Sequence, residues 1–483
     1  MNGSTTDSAS QRPRVVVVGG GIAGLATAFR LLRLADDAST SIDLTLLESS
    51  DRVGGTIETA RHDGLTMERG PDSMITDKPW GVELCEELGL GDRLLPTSPD
   101  HRGSFIARGG SLHRVPEGFH LMAPSRMWPF LTSRLLSVPG KLRMAADLVI
   151  PPRRDDGESD ESLAAFVRRR LGREALERVA QPMVGGIYTA DPERLSLRAT
   201  MPRFLDMERK HGSVIRAMVA GRRALDAVGT ARGPRYELFV AFRDGMEELP
   251  RRLLERLPGG SVRLGCPVDS IARDGERWCV SIPGESIVAD AVCVAAPAHA
   301  AARMLRDAAP ELATEVAAIE YASTATVNLT CARKDIAHPL DGFGFVVPAS
   351  EGRATLACSF SSVKYAGRAP QGRVLLRAFV GGALSPQRFE LDDRAMIAAV
   401  LADLRELVGL RGEPHETLVS RYPQAMPQYH VGHLDRMARI DGLLARLPRL
   451  EVTGSGYRGT GIPDCIRGAN EAAARLLCAV GAA

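Results

Sequence analysis

The chain has 483 residues, of which 44% are hydrophobic and 25% charged, and its net charge at neutral pH is +2. This length allows about two or three domains, and the composition is that of a soluble globular protein. Basic residues are scattered rather than gathered into a stripe, which argues against nucleic-acid binding, and no apolar run approaches the ~18 residues needed to cross a bilayer.

The N-terminal residues 1–13 are polar, contain Asp7 and lack the apolar core of a secretion signal. We therefore predict that they form a disordered tail.

The segment from Arg14 to Glu48 has the parts of a dinucleotide-binding unit in the expected order. A buried-strand run, Val15 to Val18, leads into a glycine turn, a helix rich in Ala and Leu, and a second strand, Ile42 to Leu47, that ends on an acid. The turn has the spacing G-x-G-x-x-G, formed by Gly19, Gly21 and Gly24.

Each part of this unit has a physical role in holding a dinucleotide. Gly19 allows a tight turn, Gly21 lets the backbone approach a pyrophosphate, and Gly24 lets helix and strand pack closely. The helix N-terminus offers unpaired N–H groups to the phosphates. Glu48 can accept hydrogen bonds from ribose hydroxyls and would repel a 2′-phosphate. The alternative is a glycine-rich turn in another kind of α/β domain.

Two polar turns follow, and then the pattern becomes helical. The phrase DRVGG gives a flexible turn at 52–55, and GPDS gives a tight turn at 70–73. Between about 80 and 240 the pattern is mainly helical. Within it we predict that the charged, Pro-containing stretch 146–162 is a solvated surface loop, and that Ser162 caps the helix that follows.

From about residue 238 strands return, and the chain ends with a strand, a glycine turn and a helix. Gly454, Gly456 and Gly459 repeat the G-x-G-x-x-G spacing, but too little chain remains for a second complete site, and Pro463 marks a helix start. The similar ends predict one nucleotide domain built from both chain ends and a middle piece. The alternative is a turn that only packs the terminal helix.

The cysteines and histidines indicate neither a disulfide framework nor a metal site. No C-x-x-C pair occurs among the eight cysteines, which predicts buried thiols in a reducing cytoplasm. His430 and His433 lie in a Pro-containing loop without acidic or thiol neighbours, so zinc and iron are not expected. No Ser/His/Asp or Cys/His arrangement is evident, and the catalytic residues stay unassigned.

Four phrases, ERGPDS (68–73), GGIYTADPERLS (185–196), MPQYHVGH (426–433) and GTGIPDCI (459–466), give a more specific signal. In this order, behind the GGGIAG turn, they resemble the flavin-dependent porphyrinogen oxidases of haem biosynthesis, which belong to the amine-oxidase-like FAD proteins. The resemblance extends from about Arg14 to Leu477.

The resemblance implies a mixed α/β (α+β) fold: a Rossmann-like FAD-binding domain of the amine-oxidase/glutathione-reductase type, a substrate-binding sheet domain and a helical insertion. The FAD-binding domain would comprise 14–79, 238–300 and 445–483. The substrate-binding domain would comprise 80–119 and 301–444, and the helical domain 120–237.

The resemblance also implies the cofactor-binding residues. Those expected at the pyrophosphate, the ribose and the ribityl chain are Gly19, Gly20, Gly21, Ile22, Ala23, Gly24, Glu48, Ser49, Arg52 and Gly55. The backbone of Val268 would meet adenine. Those expected beside the flavin ring are Gly70, Pro71, Asp72, Ser73, Tyr422, Gly461, Ile462 and Pro463, where the dipole of the last helix would stabilise negative charge on the ring.

For the substrate, relatives hold a macrocycle between an aliphatic and an aromatic residue, at positions matched by Val346 and Phe379. The alternative is that both are ordinary strand core. The implied reaction moves hydride from a meso carbon to FAD while a pyrrole N–H loses a proton. Oxygen then reoxidises the flavin, so three rounds remove six electrons and release hydrogen peroxide.

Coproporphyrinogen III is the expected substrate and protoporphyrinogen IX the alternative, because Ser104 stands where many protoporphyrinogen enzymes have an arginine. Arg102 is the nearest basic candidate for a propionate. Further basic candidates, each more simply a surface charge, are Arg114, Arg203, Lys210, Lys364 and Arg377.

Other readings and partners stay open. Another amine-oxidase-like enzyme would share the N-terminal phrases but not GIYTADPERLS or GIPDCI. A non-enzymatic flavin- or haem-binding module is the other alternative. The stretch 120–136 could form a channel wall or a weak peripheral membrane contact. A haem-pathway chelatase would act downstream.

Overall fold

We describe the protein from a computed structural model, in which residues 12–153, 159–228 and 238–481 are described. Most of the predicted disordered tail, residues 1–11, lies outside these ranges.

The strands, in chain order, are β1 (Arg14–Val18), β2 (Asp43–Leu47), β3 (Thr59–His62), β4 (Leu65–Glu68), β5 (Met74–Ile75), β6 (Leu94–Pro96), β7 (Phe105–Arg108), β8 (Ser111–Arg114), β9 (Phe119–His120), β10 (Ala123–Pro124), β11 (Phe239–Phe242), β12 (Val262–Arg263), β13 (Ser270–Asp274), β14 (Arg277–Ile282), β15 (Glu285–Ala289), β16 (Ala291–Val294), β17 (Tyr321–Ala332), β18 (Gly344–Val346), β19 (Thr355–Ser359), β20 (Arg373–Gly381), β21 (Glu416–Pro427) and β22 (Leu450–Val452).

The helices are α1 (Ile22–Asp37), α2 (Trp80–Glu87), α3 (Met127–Thr132), α4 (Val138–Ala145), α5 (Leu163–Arg170), α6 (Arg173–Ala175), α7 (Gln181–Tyr188), α8 (Leu197–Thr200), α9 (Arg203–His211), α10 (Val214–Val228), α11 (Glu248–Glu255), α12 (Ala298–Leu305), α13 (Pro310–Ala317), α14 (Ser361–Lys364), α15 (Pro386–Phe389), α16 (Asp393–Leu407), α17 (His433–Leu444) and α18 (Ile462–Gly481).

A five-stranded parallel sheet in the order β12-β2-β1-β16-β22 carries the predicted nucleotide unit. Val15 and Val17 pack beneath α1 and α18 on one face, and Val16 and Val18 pack towards β14 and α12 on the other. Such burial on both faces explains the continuous valine run. Strands from both ends of the chain and from its middle thus lie side by side in one sheet.

A seven-stranded sheet in the order β21-β17-β20-β19-β18-β7-β8 forms the second layer. Neighbouring strands within this sheet run antiparallel, except that β18 and β7 run parallel to each other. Leu376, Ala378 and Val380 of β20 pack with α16 on one face. The alternate residues of β20, including Arg377 and Phe379, point to the other face, because side chains alternate along a strand.

The helical region, from α3 to α10, has its own core, and a buried ion pair stabilises it. Ser162 caps α5 as predicted, with its hydroxyl accepting from the amide of Ala165. The prediction that 146–162 is a solvated loop is wrong at Asp147. This carboxylate is fully buried and accepts a hydrogen bond from Arg170, which is itself fully buried.

One proposed domain boundary differs from the packing. Leu84 and Cys85 of α2 and Leu94 of β6 belong to the same core as β1 and α1. We therefore propose that the first segment of the nucleotide domain extends beyond residue 79, to about β6. Over the described ranges, no helix is long and apolar enough to span a membrane.

Candidate functional site

The glycine turn between β1 and α1 is tightly packed at Gly19 and Gly24 and has free space beside Gly21. A Cβ on Gly24 would lie 1.8 Å from the carbonyl oxygen of Gly19, and one on Gly19 would lie 2.6 Å from that of Ala295. A Cβ on Gly21 would meet nothing within 4 Å. The close packing at Gly19 and Gly24 therefore leaves no room for a side chain, whereas Gly21 borders free space at the start of α1.

Ile22 and Ala23 begin α1, and the N-cap residue Gly21 provides no side-chain hydrogen bond. The N–H groups of this first turn therefore lack a capping side chain, which is the arrangement that binds a phosphate.

Glu48, at the end of β2, lies directly against this turn. One carboxylate oxygen accepts from the amide of Gly20 at 2.6 Å, and the other accepts from the amide of Ser50 at 2.8 Å and the hydroxyl of Ser49 at 3.2 Å. The backbone carbonyl of Glu48 accepts from the amide of Cys266 at 2.8 Å. The segment that contains Val268 thus runs alongside Glu48, as expected for two parts of one nucleotide site.

The DRVGG loop also packs on the glycine turn. The amide of Gly54 donates to the carbonyl of Gly20 at 2.8 Å, and Gly55 has a φ of +59°. The guanidinium of Arg52 donates to the carbonyls of Val53, Gly55 and Ile57. Arg52 therefore shapes this loop, and its contact with a pyrophosphate stays a prediction.

The ERGPDS turn is attached to the seven-stranded sheet at three successive carbonyls. Asn328 donates to the carbonyl of Glu68 at 3.1 Å, Thr326 donates to that of Arg69 at 3.0 Å, and Arg377 donates to that of Gly70. On the opposite side, a Cβ on Gly70 would lie 1.7 Å from the carbonyl oxygen of Thr56. The turn that precedes Pro71 is thus held between the seven-stranded sheet and the loop that follows DRVGG.

Asp72 lies in a cluster of opposite charges behind this turn. Lys364 donates to its two oxygens at 3.1 and 3.2 Å, the hydroxyl of Ser73 donates at 2.7 Å, and Arg377 lies at 3.9 Å. Although burial opposes it, the positive charges of Lys364 and Arg377 hold the pKa of Asp72 well below its usual value. The interpretation of these two cations as surface charges is wrong, because their side chains are 13% and 4% exposed.

The C-terminal glycine turn is held by two residues to which the sequence analysis gave no role. The hydroxyl of Tyr429 donates to the carbonyl of Ser455 at 2.6 Å and accepts from the amide of Gly459 at 2.7 Å. The ring of His433 stacks on Tyr429 at 3.9 Å, and its Nε2 bonds to the carbonyl of Tyr457 at 2.7 Å. The MPQYHVGH phrase, which contains both residues, was the available signal.

The start of α18 confirms the predicted helix boundary. Ile462 and Pro463 begin this helix just after Gly461, and both are buried. Asp464 follows and accepts from Lys78 at 2.6 Å, which fixes the helix start against the segment before α2.

Val346 and Phe379 lie in one row across the seven-stranded sheet. Val346 pairs with Ala357, which pairs with Phe379, which pairs with Thr326. The two side chains therefore share a face and stand about 10 Å apart, with one strand between them. They form neighbouring parts of one wall rather than opposing walls, and their contact with a substrate stays a prediction.

Helix α7, which carries the GGIY phrase, covers part of this row. A Cβ on Gly186 would lie 3.3 Å from Cγ1 of Val346, so this helix approaches the sheet closely because a glycine stands there. Tyr422 pairs with Thr324 on β17, close to the same row. Burial raises the pKa of Tyr188, at the end of α7, to about 12.

Arg102 is not part of this row. It lies on an exposed stretch before β7, four positions before Ile106, which pairs with Val346. Its carbonyl accepts from Arg114, whose guanidinium also pairs with Asp341.

The predicted buried thiols are confirmed for most cysteines. Cys279 is partly buried and Cys478 exposed, and the buried ones are Cys85, Cys266, Cys293, Cys331, Cys358 and Cys465.

Comparison with known proteins places these features in a family. The profile of the flavin-containing amine oxidoreductases matches residues 22–477. The chain is 38% identical to the coproporphyrinogen III oxidase of Propionibacterium freudenreichii, over 97% of this chain and 92% of the relative. It is 34% identical to that of Bacillus subtilis, over 94% and 96%. A solved structure, a putative protoporphyrinogen oxidase from Exiguobacterium, matches with a TM-score of 0.85 and 32% identity, over 97% and 99%.

Proposed function

The chain belongs to the flavin-containing amine oxidoreductases, and from that premise we propose that it oxidises coproporphyrinogen III to coproporphyrin III. The observation that carries this proposal is the match at 38% and 34% identity, over nearly the whole chain, to two coproporphyrinogen III oxidases. The reaction removes six electrons in three two-electron steps. Each step transfers its electrons to oxygen and releases one hydrogen peroxide.

FAD is the cofactor, and the residues of the glycine turn fit it. The open side of Gly21, the uncapped start of α1 and the carboxylate of Glu48 suit a pyrophosphate followed by a ribose. We propose that the backbone near Val268 meets adenine, and that the ERGPDS turn, Tyr422 and the start of α18 border the flavin ring. FAD supplies the hydride acceptor, and the protein binds, orients and excludes water.

The substrate macrocycle is proposed to lie over the row that contains Val346 and Phe379, beside α7. Both side chains are partly buried, and Val346 packs against the helical core. A flat apolar wall suits a tetrapyrrole ring, while its four propionates reach outward to basic groups such as Arg102. Chain residues thereby orient a meso C–H towards the flavin.

Protoporphyrinogen IX is the second candidate, because the solved relative is a putative protoporphyrinogen oxidase. The two substrates differ in their carboxylates, four against two. The absence of an arginine at Ser104 favours coproporphyrinogen III. A comparison of kcat/KM on the two porphyrinogens decides between them, and a clear preference for protoporphyrinogen IX would reject the first.

A non-enzymatic flavin-binding module is tested by mixing the flavoprotein with porphyrinogen without oxygen. An oxidase loses its flavin absorbance and recovers it in air, whereas a binding module keeps it unchanged.

We propose a cytoplasmic location and a weak peripheral contact with anionic membrane through α3 and α4. Trp128, Leu131, Val138 and Leu142 are 76%, 51%, 70% and 69% exposed there. The ammonium of Lys141 donates to the carbonyl of Leu131 at 2.7 Å, so the two helices form one surface. Exposed apolar side chains beside a basic residue suit a bilayer interface.

We propose that a chelatase, which inserts metal into the porphyrin, acts on the product of this reaction.

A further inference from the structure

The charge cluster behind the ERGPDS turn contains more positive than negative charge. Its members are Asp72, Lys364 and Arg377, whose side chains are 16%, 13% and 4% exposed. Lys364 bonds to both oxygens of Asp72, and Arg377 reaches the same carboxylate at 3.9 Å while donating to the carbonyl of Gly70. One carboxylate thus faces two cations.

The surroundings of the two cations offer rings and neutral oxygens rather than a second free carboxylate. The ammonium of Lys364 lies 5.4 Å from the ring of Phe239 and 3.4 Å from the hydroxyl of Ser73. The guanidinium of Arg377 lies 4.7 Å from the ring of Phe379, and its Nε is buried without a hydrogen-bond partner.

Glu68, the acid that begins the ERGPDS phrase, is already engaged. Glu68 lies 3.6 Å from Arg368 and accepts hydrogen bonds from Thr59 and from the amide of Met246. Glu58 likewise pairs with Arg52 and Arg69. The cluster therefore keeps an excess of one positive charge.

An excess buried charge is unfavourable unless an anionic group lies nearby. The turn Gly70–Ser73 is where we propose that the flavin ring lies. A flavin bound there would gain one negative charge on accepting, as hydride, the electron pair of a substrate C–H bond that breaks. A fixed positive charge beside it favours this state without reorganisation.

We propose that Asp72, Lys364 and Arg377 set the reduction potential of the bound flavin, the two cations raising it and the carboxylate moderating their effect. This inference rests on the proposed function, because it needs a flavin beside the turn. The three residues act on the cofactor through their charge, and we do not assign them contact with the substrate.

The test is the reduction potential of the flavin in the holoenzyme, measured against a reference dye for three variants that each remove one charge. Lys364→Met and Arg377→Met should each lower the ratio of reduced to oxidised flavin at a given dye potential, on the order of tenfold. Asp72→Asn should raise it. Arg373→Met removes an exposed charge from the same strand, β20, and should leave the ratio unchanged.

The opposite signs separate this role from a structural one. Residues that only brace the turn would weaken FAD retention in all three variants and move the ratio in one direction or not at all, which would overturn the inference. If Arg377→Met does not fold, Lys364→Met and Asp72→Asn still give the two signs. A wild-type protein that retains no flavin would instead reject the proposed function.

Discussion

Glu48 combines two roles in one carboxylate, since it accepts from the amides of Gly20 and Ser50 while it lies where a ribose is expected. Glu48→Ala should weaken FAD affinity by about one to two decades, because a charge-assisted hydrogen bond contributes roughly 1.5–3 kcal/mol. The dissociation constant can be measured by flavin fluorescence. Asp51→Ala, which removes a neighbouring exposed acid, is the matched control. Loss of turnover in the fully loaded variant at unchanged affinity would mean that Glu48 is misassigned.

His433 predicts a dependence of stability on pH. Burial lowers its pKa to about 4 in the folded protein, from an ordinary value of 6.5. The unfolded chain therefore binds more protons between these values, so stability should fall as the pH drops from about 6.5 to about 4, by up to about 3 kcal/mol. His433→Gln does not titrate and should reduce this slope in urea unfolding at several pH values. An unchanged slope would contradict the assignment.

At the residue scale, local roles could be predicted and distant partnerships could not. The turn glycines and Glu48 follow from spacing within one strand–helix–strand unit, and the cap Ser162 follows from its position just before a helical pattern. The charges of Lys364 and Arg377 looked like surface charges because their partner Asp72 lies about 300 positions earlier, and no local pattern joins them.

At the scale of elements, the buried Arg170 of α5 joins this helix to the segment after α4 through its ion pair with Asp147. Arg170 donates to Asp147 and to the carbonyls of Ile150 and Gly212, and it is fully buried. Arg170→Met should lower the free energy of unfolding by about 3–5 kcal/mol, because it leaves the charge of Asp147 buried and unpaired. Arg173→Met, which removes an exposed charge, should leave it nearly unchanged. Urea midpoints that shift equally in both variants would refute this role.

The exposed surface of α3 and α4 predicts weak binding to anionic vesicles. The double variant Trp128→Ser, Leu131→Ser should reduce co-sedimentation with vesicles rich in phosphatidylserine, because it removes the apolar groups that enter the interface. Val431→Ser, which alters a 48% exposed apolar residue elsewhere, is the control. Binding that is equal to neutral and anionic vesicles, or absent in the wild type, would reject the membrane contact.

Element types were predictable because their patterns are local. The strands β17 to β20 follow from runs rich in Val, Leu and Thr, and α18 follows from Pro463. Within the segment 146–162, Asp147 was misjudged because the charged composition resembles a loop, whereas this residue acquires its partners only from α5 and the start of α10.

At the scale of the whole molecule, the ERGPDS turn links the seven-stranded sheet to the loop that packs on the glycine turn. Three successive carbonyls of that turn accept hydrogen bonds from the seven-stranded sheet. The proposed cofactor site and the proposed substrate wall are thereby coupled. The row from Val346 to Phe379 depends on the strand order β18-β19-β20, which sequence reasoning cannot supply, because register across strands is set by tertiary packing.

The most direct test of the account is anaerobic mixing of the purified flavoprotein with coproporphyrinogen III and, separately, with protoporphyrinogen IX. We expect the flavin absorbance to bleach with both, faster with coproporphyrinogen III, and to recover in air with about three hydrogen peroxides per porphyrin formed. A flavin that stays oxidised with both porphyrinogens would contradict the proposed oxidase function.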